Sequence, residues 1–113
     1  MNRNPSAADV FRAVADPCRR MVLDRLRAGE MPVGELSEGF SGSQPAFSKH
    51  IKVLADAGII RQRRQGRQLM CRLNPAPLAE LVEWADLFRS LWMQKLDHLE
   101  NYLDSKHGKK HTN

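Results

Sequence analysis

The fold is decided by residues 41–58, SGSQPAFSKHIKVLADAG. Ser43 is a favourable helix N-cap, because its hydroxyl can accept a hydrogen bond from a free backbone N–H of the first turn. Gly58 is placed to end that helix, which is predicted to run to about residue 57. The preceding residues 33–40, VGELSEGF, predict a shorter helix. Two short helices joined by a glycine-containing turn indicate a helix-turn-helix.

The next residues, 59–73 (IIRQRRQGRQLMCRL), predict a β-hairpin. Its tip is expected at Gln65-Gly66, because glycine readily adopts the backbone conformation of a tight hairpin turn. The residues expected on its packed face are Ile60, Leu69, Cys71 and Leu73. A hairpin directly after a helix-turn-helix is the pattern of a winged helix.

Two helices are predicted before this motif. Ser6 can cap a first helix that runs to about Asp16. Asp16-Pro17 can start a second, because Asp is a good N-cap and Pro suits the first helical position. Gly29 is well placed to end the second helix.

A long final helix is predicted over residues 78–105, opened by Pro75 and Pro77. At 1.5 Å per residue it would span about 42 Å. Its apolar residues fall in one narrow stripe at 100° per residue, and a small domain could not cover that whole stripe. Part of the stripe is therefore expected to pack against a second subunit. The stripe residues expected at that interface are Leu81, Ala85, Phe88, Trp92, Leu96, Leu99 and Leu103.

These elements predict an α+β fold, mainly α: a winged helix-turn-helix with a two-stranded wing and a long C-terminal dimerisation helix. The domain is expected to span residues 1–105, followed by a disordered polar tail at 106–113. Its parts are core and dimerisation helices at 6–30 and 76–105, the helix-turn-helix at 33–57 and the wing at 59–73.

The composition restricts the class of protein. The 113 residues include 18 Lys and Arg against 13 Asp and Glu, and the net charge of +5 is compatible with a polyanionic partner. No apolar run suits a signal sequence or a membrane span, and two cysteines do not suggest a secreted disulfide scaffold. We therefore expect a cytoplasmic protein without membrane contact. Because no catalytic motif such as HExxH or a phosphate-binding glycine loop is present, we expect no enzyme activity, no cofactor and no metal.

Four segments resemble the ArsR/SmtB family of transcriptional repressors: residues 10–20 (VFRAVADPCRR), 33–37 (VGELS), 43–54 (SQPAFSKHIKVL) and 57–60 (AGII). The resemblance covers about residues 8–75. It implies a dimeric winged helix that binds DNA, represses transcription and leaves DNA when an inducer binds. It also implies that the first and last helices form the dimer interface, which adds Val10, Phe11 and Val14 to the interface residues.

The sequence departs from the metal-sensing pattern of that family. Its metal sensors carry Cys-x-Cys after Glu-Leu in the third helix, whereas residues 37–40 are Ser-Glu-Gly-Phe here. Others carry Asp-x-His and a distant His pair in the last helix, whereas Asp97 and His98 are adjacent. The resemblance therefore supports the DNA-binding fold and leaves open which small molecule or protein is the inducer, and whether there is one.

The helix after Ser43 is expected to read double-stranded DNA, because Phe47, Ile51 and Leu54 at helical spacing turn its polar residues outward. Gln, Ser and Lys side chains can reach base edges in the major groove, and Lys also suits phosphate. His50 borders the buried face, where it either donates to a phosphate or is a satisfied core histidine. The contacts predicted on this helix are Ser43, Gln44, Pro45, Ser48, Lys49, His50 and Lys52.

The hairpin carries five arginines and no acidic residue between positions 61 and 72. Such charge on one hairpin repels itself unless counterions or phosphates relieve it. Arg64 and Arg67 flank Gly66 and are expected to approach the minor groove. Arg61, Arg63 and Arg72 suit backbone contacts or plain solubilising charge.

Two other readings stay open at this stage. The chain could be a thiol- or metal-responsive sensor of the same fold, acting through Cys18 and Cys71 or through a C-terminal group of Asp97, His98, Glu100, His107 and His111. Alternatively, it could be a protein-interaction module that kept the fold without DNA binding. The simpler interpretation of the cysteines is that both are small buried apolar residues. The arginine-rich wing argues against a module that does not bind DNA.

Overall fold

The computed structural model describes residues 5–107 and divides into two compact units, with the boundary between Leu81 and Val82. The first unit contains four complete α-helices, a 3-10 turn, the start of a fifth α-helix and a small antiparallel sheet. The excess of helices over strands, together with the small antiparallel sheet, confirms the predicted α+β, mainly α class.

The first two helices, α1 (Ala7–Val14) and α2 (Pro17–Leu26), start at the predicted caps. The Ser6 hydroxyl accepts from Asp9 N at 3.3 Å, and the Asp9 carboxylate accepts from Ser6 N at 3.0 Å. Asp16 accepts from two backbone N–H groups at the start of α2. Helix α1 ends two residues before Asp16, its predicted end, and α2 ends three residues before Gly29.

The helix-turn-helix consists of α3 (Val33–Leu36) and α4 (Gln44–Asp56). Helix α4 has the predicted bounds, and Gly58 closes it with a φ of 77° while Ile59 N donates to Leu54 O at 3.1 Å. Helix α3, expected to reach residue 40, is a single turn. The chain continues as a turn, and the left-handed φ of 84° at Gly39 keeps a helix from reaching residue 40.

The sheet has three strands rather than the two that were predicted. The wing hairpin is β2 (Ile60–Gln65) and β3 (Gln68–Leu73), and β1 (Met31–Pro32) pairs antiparallel with β3 on its other edge. Gln65 pairs with Gln68, so the two-residue loop is Gly66-Arg67, one position later than expected. A two-residue strand shows no alternation, so the sequence pattern could not indicate β1.

The core of the first unit is closed by side chains from its helices and strands. Phe47, Leu36, Leu54, Ile59, Val22 and Cys71 are the largest fully buried side chains. They include members of α2, α3, α4 and β3, so both helices of the helix-turn-helix are anchored to one core. Of the predicted packed face of the wing, Ile60 and Cys71 are buried and Leu69 and Leu73 are half-buried.

The final helix is interrupted, contrary to the prediction of one helix over 78–105. A short 3-10 turn, Ala76–Leu78, leads into α5 (Ala79–Asp86), and α6 (Arg89–His107) follows after a tight turn at residues 87–88. In that turn Leu87 N donates to Trp84 O at 3.1 Å and Phe88 N to Ala85 O at 3.0 Å. Residues 86–89 contain neither Pro nor Gly, so nothing in the sequence predicted a break in the helix there.

The C-terminal end of α6 also differs from the prediction. Lys106 and His107, assigned to a disordered tail, belong to α6. The rest of that predicted tail, residues 108–113, lies outside the described residues.

Candidate nucleic-acid interface

One side of α4 presents polar side chains to solvent. Its other side is anchored by Phe47, Ile51 and Leu54, which are all buried. Ser43 lies at the start of the helix, where its hydroxyl accepts from Ala46 N at 3.2 Å. The exposed residues of this face are Ser43, Gln44, Pro45, Ser48, Lys49 and Lys52. The structure thus brings together on one surface every residue predicted on this helix except His50, which is half-buried.

Lys52 has an acidic neighbour one turn along α4. Its Nζ donates to Asp56 Oδ2 at 3.0 Å, and both side chains are largely exposed. Exposed pairs at this spacing are weak, because water and salt screen them. Lys52 can therefore exchange Asp56 for a phosphate.

His50 is held by Arg19 of α2. Arg19 Nη1 lies 3.0 Å from His50 Nδ1, and Arg19 is itself fixed by donating to Ala13 O at 2.8 Å and to Arg12 O at 3.0 Å. A guanidinium can only donate, so Nδ1 is the acceptor in this contact and the ring hydrogen lies on Nε2. This contact combines the two roles considered for His50, because Nδ1 is satisfied internally while Nε2–H is a donor.

The tip of the wing presents two arginines. Gly66 has a φ of 62°, which lets the chain reverse in two residues. Arg64 and Arg67 are exposed on either side of it, and Arg64 Nη1 reaches Arg67 O at 3.4 Å. The tip is therefore a protruding, positively charged loop.

The outer face of the wing is less uniformly positive than the hairpin sequence indicated. Arg61 pairs directly with Arg72 across the two strands. Arg63 donates through Nε and Nη2 to both carboxylate oxygens of Glu30, at 3.0 and 2.7 Å. These hydrogen bonds hold the pKa of Glu30 below its usual value and raise the pKa of Arg63. The acidic partner precedes β1, so it became apparent only once the third strand was in place.

Arg25 positions the turn between α3 and α4, a role that sequence reasoning missed. Its Nη1 donates to Leu36 O at 2.9 Å and to Glu38 O at 2.8 Å. It therefore satisfies carbonyl groups at the end of α3 that the short helix leaves free. No local pattern could identify this partner, because Arg25 lies on α2.

The predicted dimer residues fall into two groups. In the first unit, Val10 is 3% exposed and belongs to the core, while Phe11 and Val14 are half-buried. In the second unit, Ala85 and the five large apolar residues of the predicted stripe from position 88 onward are exposed, with Trp92 at 64%. Leu81, the last residue of the first unit, is half-buried. Because Val10 is buried, it could support an interface only by packing under the residues that form its surface.

Exposed apolar side chains in the second unit extend beyond that stripe. They also include Val82, Trp84, Leu87, Leu91, Met93 and Tyr102. Trp84 and Phe88 contact each other with ring centroids 5.1 Å apart. Such a density of exposed apolar groups is typical of an interaction surface.

Both cysteines are free thiols. Cys71 is buried on β3, and burial raises the pKa of its thiol. Within residues 5–107, no helix combines the length and the apolarity needed to cross a bilayer.

Comparison with known proteins places this geometry among transcriptional regulators. A family model described as a helix-turn-helix domain matches residues 14–63. The transcriptional repressor SdpR of Bacillus subtilis is 37% identical over 76 residues, which are 67% of this chain and 84% of that protein. The HTH-type transcriptional regulator Rv2034 of Mycobacterium tuberculosis is 36% identical over 104 residues, 92% of each chain. The crystal structure of the ArsR family transcriptional regulator RHA00566 aligns with a TM-score of 0.68 at 40% identity, covering 76% of this chain and 94% of that one.

Proposed function

The chain belongs to the ArsR family of DNA-binding transcriptional regulators, which are not enzymes, and we propose that it acts as a homodimeric repressor at an inverted-repeat operator. The observation that carries this proposal is the pairing of an exposed polar face on α4 with an arginine-bearing wing in the same unit. An anchored helix of this kind fits the major groove, while a protruding wing reaches the backbone or minor groove beside it.

The residues divide into readers of sequence and binders of phosphate. Gln44, Ser48 and Lys49 are exposed along one side of α4 and are proposed to contact base edges, since Gln can pair with adenine through two hydrogen bonds. Ser43 and Pro45 place the start of the helix against the groove. The proposed phosphate or minor-groove contacts are His50 through Nε2–H, Lys52, Arg61, Arg63, Arg64 and Arg67.

Arg63 has a restricted part in this scheme. Its guanidinium is already engaged by both oxygens of Glu30, so it can reach a phosphate only by exchanging that partner. We therefore place Arg63 among the weaker contacts and the tip arginines, Arg64 and Arg67, among the stronger ones.

The homodimer is supported by the exposed apolar side chains of α6. Trp92, Leu96, Leu99 and Leu103 recur at spacings of four, three and four residues, the spacing at which one helix packs along another. A second copy is the proposed partner, because two identical reading units related by a twofold axis match an inverted repeat. Phe11 and Val14 of α1 remain proposed members of this interface.

Repression is proposed by analogy with the relatives. SdpR, which is 37% identical to this chain over 76 residues, is a transcriptional repressor. An inducer, if used, would be a small molecule or a protein. The bacterial origin of these relatives, together with the location of bacterial DNA, leads us to place the protein in the cytoplasm.

The test is selection of bound sites from a random pool of duplex DNA, followed by affinity measurements at several salt concentrations. We expect an imperfect inverted repeat whose half-sites lie about one helical turn apart. We also expect log affinity to fall linearly with log salt, with a slope of about −5 to −9 for roughly 6–10 phosphate contacts. Recovery of no enriched sequence, or binding that is indifferent to salt, would contradict the proposal and favour a protein-interaction module.

A further inference from the structure

Three potential metal ligands from two separate segments come together where α2 meets α4. Asp16 caps α2, Cys18 lies in its first turn, and His50 lies on α4. A carboxylate oxygen, the thiol sulfur and a ring nitrogen all lie within 4.8 Å of one another, and all three side chains are half-buried. We propose that Asp16, Cys18 and His50 form a binding site for a divalent transition metal, with Zn²⁺ as the best match.

The donor set fits this metal. Thiolate, imidazole and carboxylate are the three ligand types that Zn²⁺ takes in proteins, at about 2.3, 2.0–2.1 and 2.0–2.2 Å. In a tetrahedron these bonds separate the donor atoms by about 3.4–3.6 Å. The donor atoms lie within 4.8 Å of one another, so the cluster has to contract by at most about 1.4 Å when the metal binds. Asp16 would bind through Oδ2, because its Oδ1 accepts from the backbone N–H groups of Cys18 and Arg19. The fourth position would be taken by water, as in zinc sites with three protein ligands.

The charges also balance. A dication bound by one thiolate, one carboxylate and one neutral imidazole leaves no net charge in a half-buried place. Binding converts the Cys18 thiol to thiolate and releases one proton to the solvent, so affinity should rise with pH. In the metal-free protein, burial and the Asp16 carboxylate raise the pKa of Cys18, so the thiol stays protonated.

Arg19 borders the proposed site. Its guanidinium contacts His50 Nδ1 at 3.0 Å and supplies positive charge beside Asp16. Burial by itself would raise the pKa of Asp16, but hydrogen bonds from the backbone N–H groups of Arg19 and Cys18, with the positive charge of Arg19, hold that pKa below its usual value. Asp16 is therefore an available carboxylate at neutral pH. A metal bound through Nδ1 replaces the Arg19 contact, since a guanidinium next to a dication is repelled.

This site differs from the metal-sensing pattern whose absence was noted in the sequence. It uses neither the third helix nor the histidines of the last helix. The sequence predicted no metal, because Cys18 and His50 lie on different helices and only the fold brings them together.

The test uses Co²⁺ as a spectroscopic probe on the reduced, full-length protein. One equivalent of Co²⁺ should produce a thiolate-to-cobalt charge-transfer band in the near ultraviolet, and Zn²⁺ should abolish it. Cys18→Ser should lose the band, whereas Cys71→Ser, the matched control at the other cysteine, should keep it. His50→Gln and Asp16→Asn should weaken binding by about tenfold or more, and Asn preserves the helix cap so that α2 still forms.

Two results would overturn the proposal. One is Co²⁺ binding without a thiolate band, as the histidines at 98, 107 and 111 could give. The other is a band that survives Cys18→Ser or that disappears with Cys71→Ser in protein of unchanged circular dichroism. Operator binding measured in EDTA tests the proposed repressor function separately, because DNA contacts do not require the metal.

Discussion

The two units of the chain differ in whether their large apolar side chains are buried or exposed. Among the described residues, the buried apolar core lies entirely between Val10 and Cys71, whereas the large apolar side chains that are exposed lie between Val82 and Leu103. The first unit closes its own core and exposes charge. The second unit exposes the groups that a stable fold normally buries. This contrast supports the proposal that the first unit contacts DNA and that another protein surface covers the second unit.

The largest effect should come from opening the closed core. Phe47→Ala removes a fully buried ring that anchors α4, so we expect a loss of about 3–5 kcal/mol in the free energy of unfolding. Urea denaturation at fixed protein concentration measures it. Leu87→Ala, at a side chain that is 75% exposed in the second unit and lies outside the predicted stripe, is the control and should cost clearly less. Equal losses at the two positions would break the contrast between the units.

The next effect should come from the exposed stripe. Leu96→Asp combined with Leu99→Asp places two charges where a second copy is proposed to pack, and should weaken dimerisation by about 2–4 kcal/mol. Sedimentation equilibrium measures the dissociation constant. Ser90→Asp combined with Gln94→Asp adds the same two charges to the same helix outside the stripe and should leave the dimer intact. A wild-type protein that is monomeric in dilute solution would refute the proposed assembly.

A smaller effect separates two parts of the reading surface. Gln44→Ala should reduce discrimination at particular base pairs by about 1–3 kcal/mol, because it removes a base-edge contact. Arg64→Ala should instead weaken binding to all sequences evenly and lessen the salt dependence by about one unit of slope. Binding curves with matched and mutated operators distinguish the two. If both variants lost affinity uniformly, Gln44 would not be a reader of sequence.

The smallest effect should come from the ion pair beneath the wing. Glu30→Gln removes the carboxylate that engages Arg63, so duplex affinity should rise a few-fold and the salt slope should steepen by about 1. Because Arg63 lowers the folded-state pKa of Glu30, the pair contributes stability above the unfolded pKa of a glutamate. That contribution should disappear as pH falls through the folded pKa, and thermal melts of wild type and Glu30→Gln should then converge. Unchanged affinity would mean that Arg63 does not face DNA.

The sequence alone determined the parts of the fold that depend on near neighbours. Ser6, Asp16 and Ser43 cap helices where they were expected to, because a cap needs only a backbone N–H two or three residues away. The wing hairpin and the polar face of α4 could also be predicted from the sequence, because strand alternation and helical periodicity are local properties.

Only the tertiary structure decided which distant residues meet. It paired β1 with β3, brought Glu30 to Arg63 and Arg19 to His50, and gathered Asp16, Cys18 and His50 into one cluster. It also interrupted the last helix at residues 87–88, where no residue type marks a break. The physical reason is that these contacts join residues far apart in the chain, and their position depends on how the core packs rather than on any short pattern of side chains.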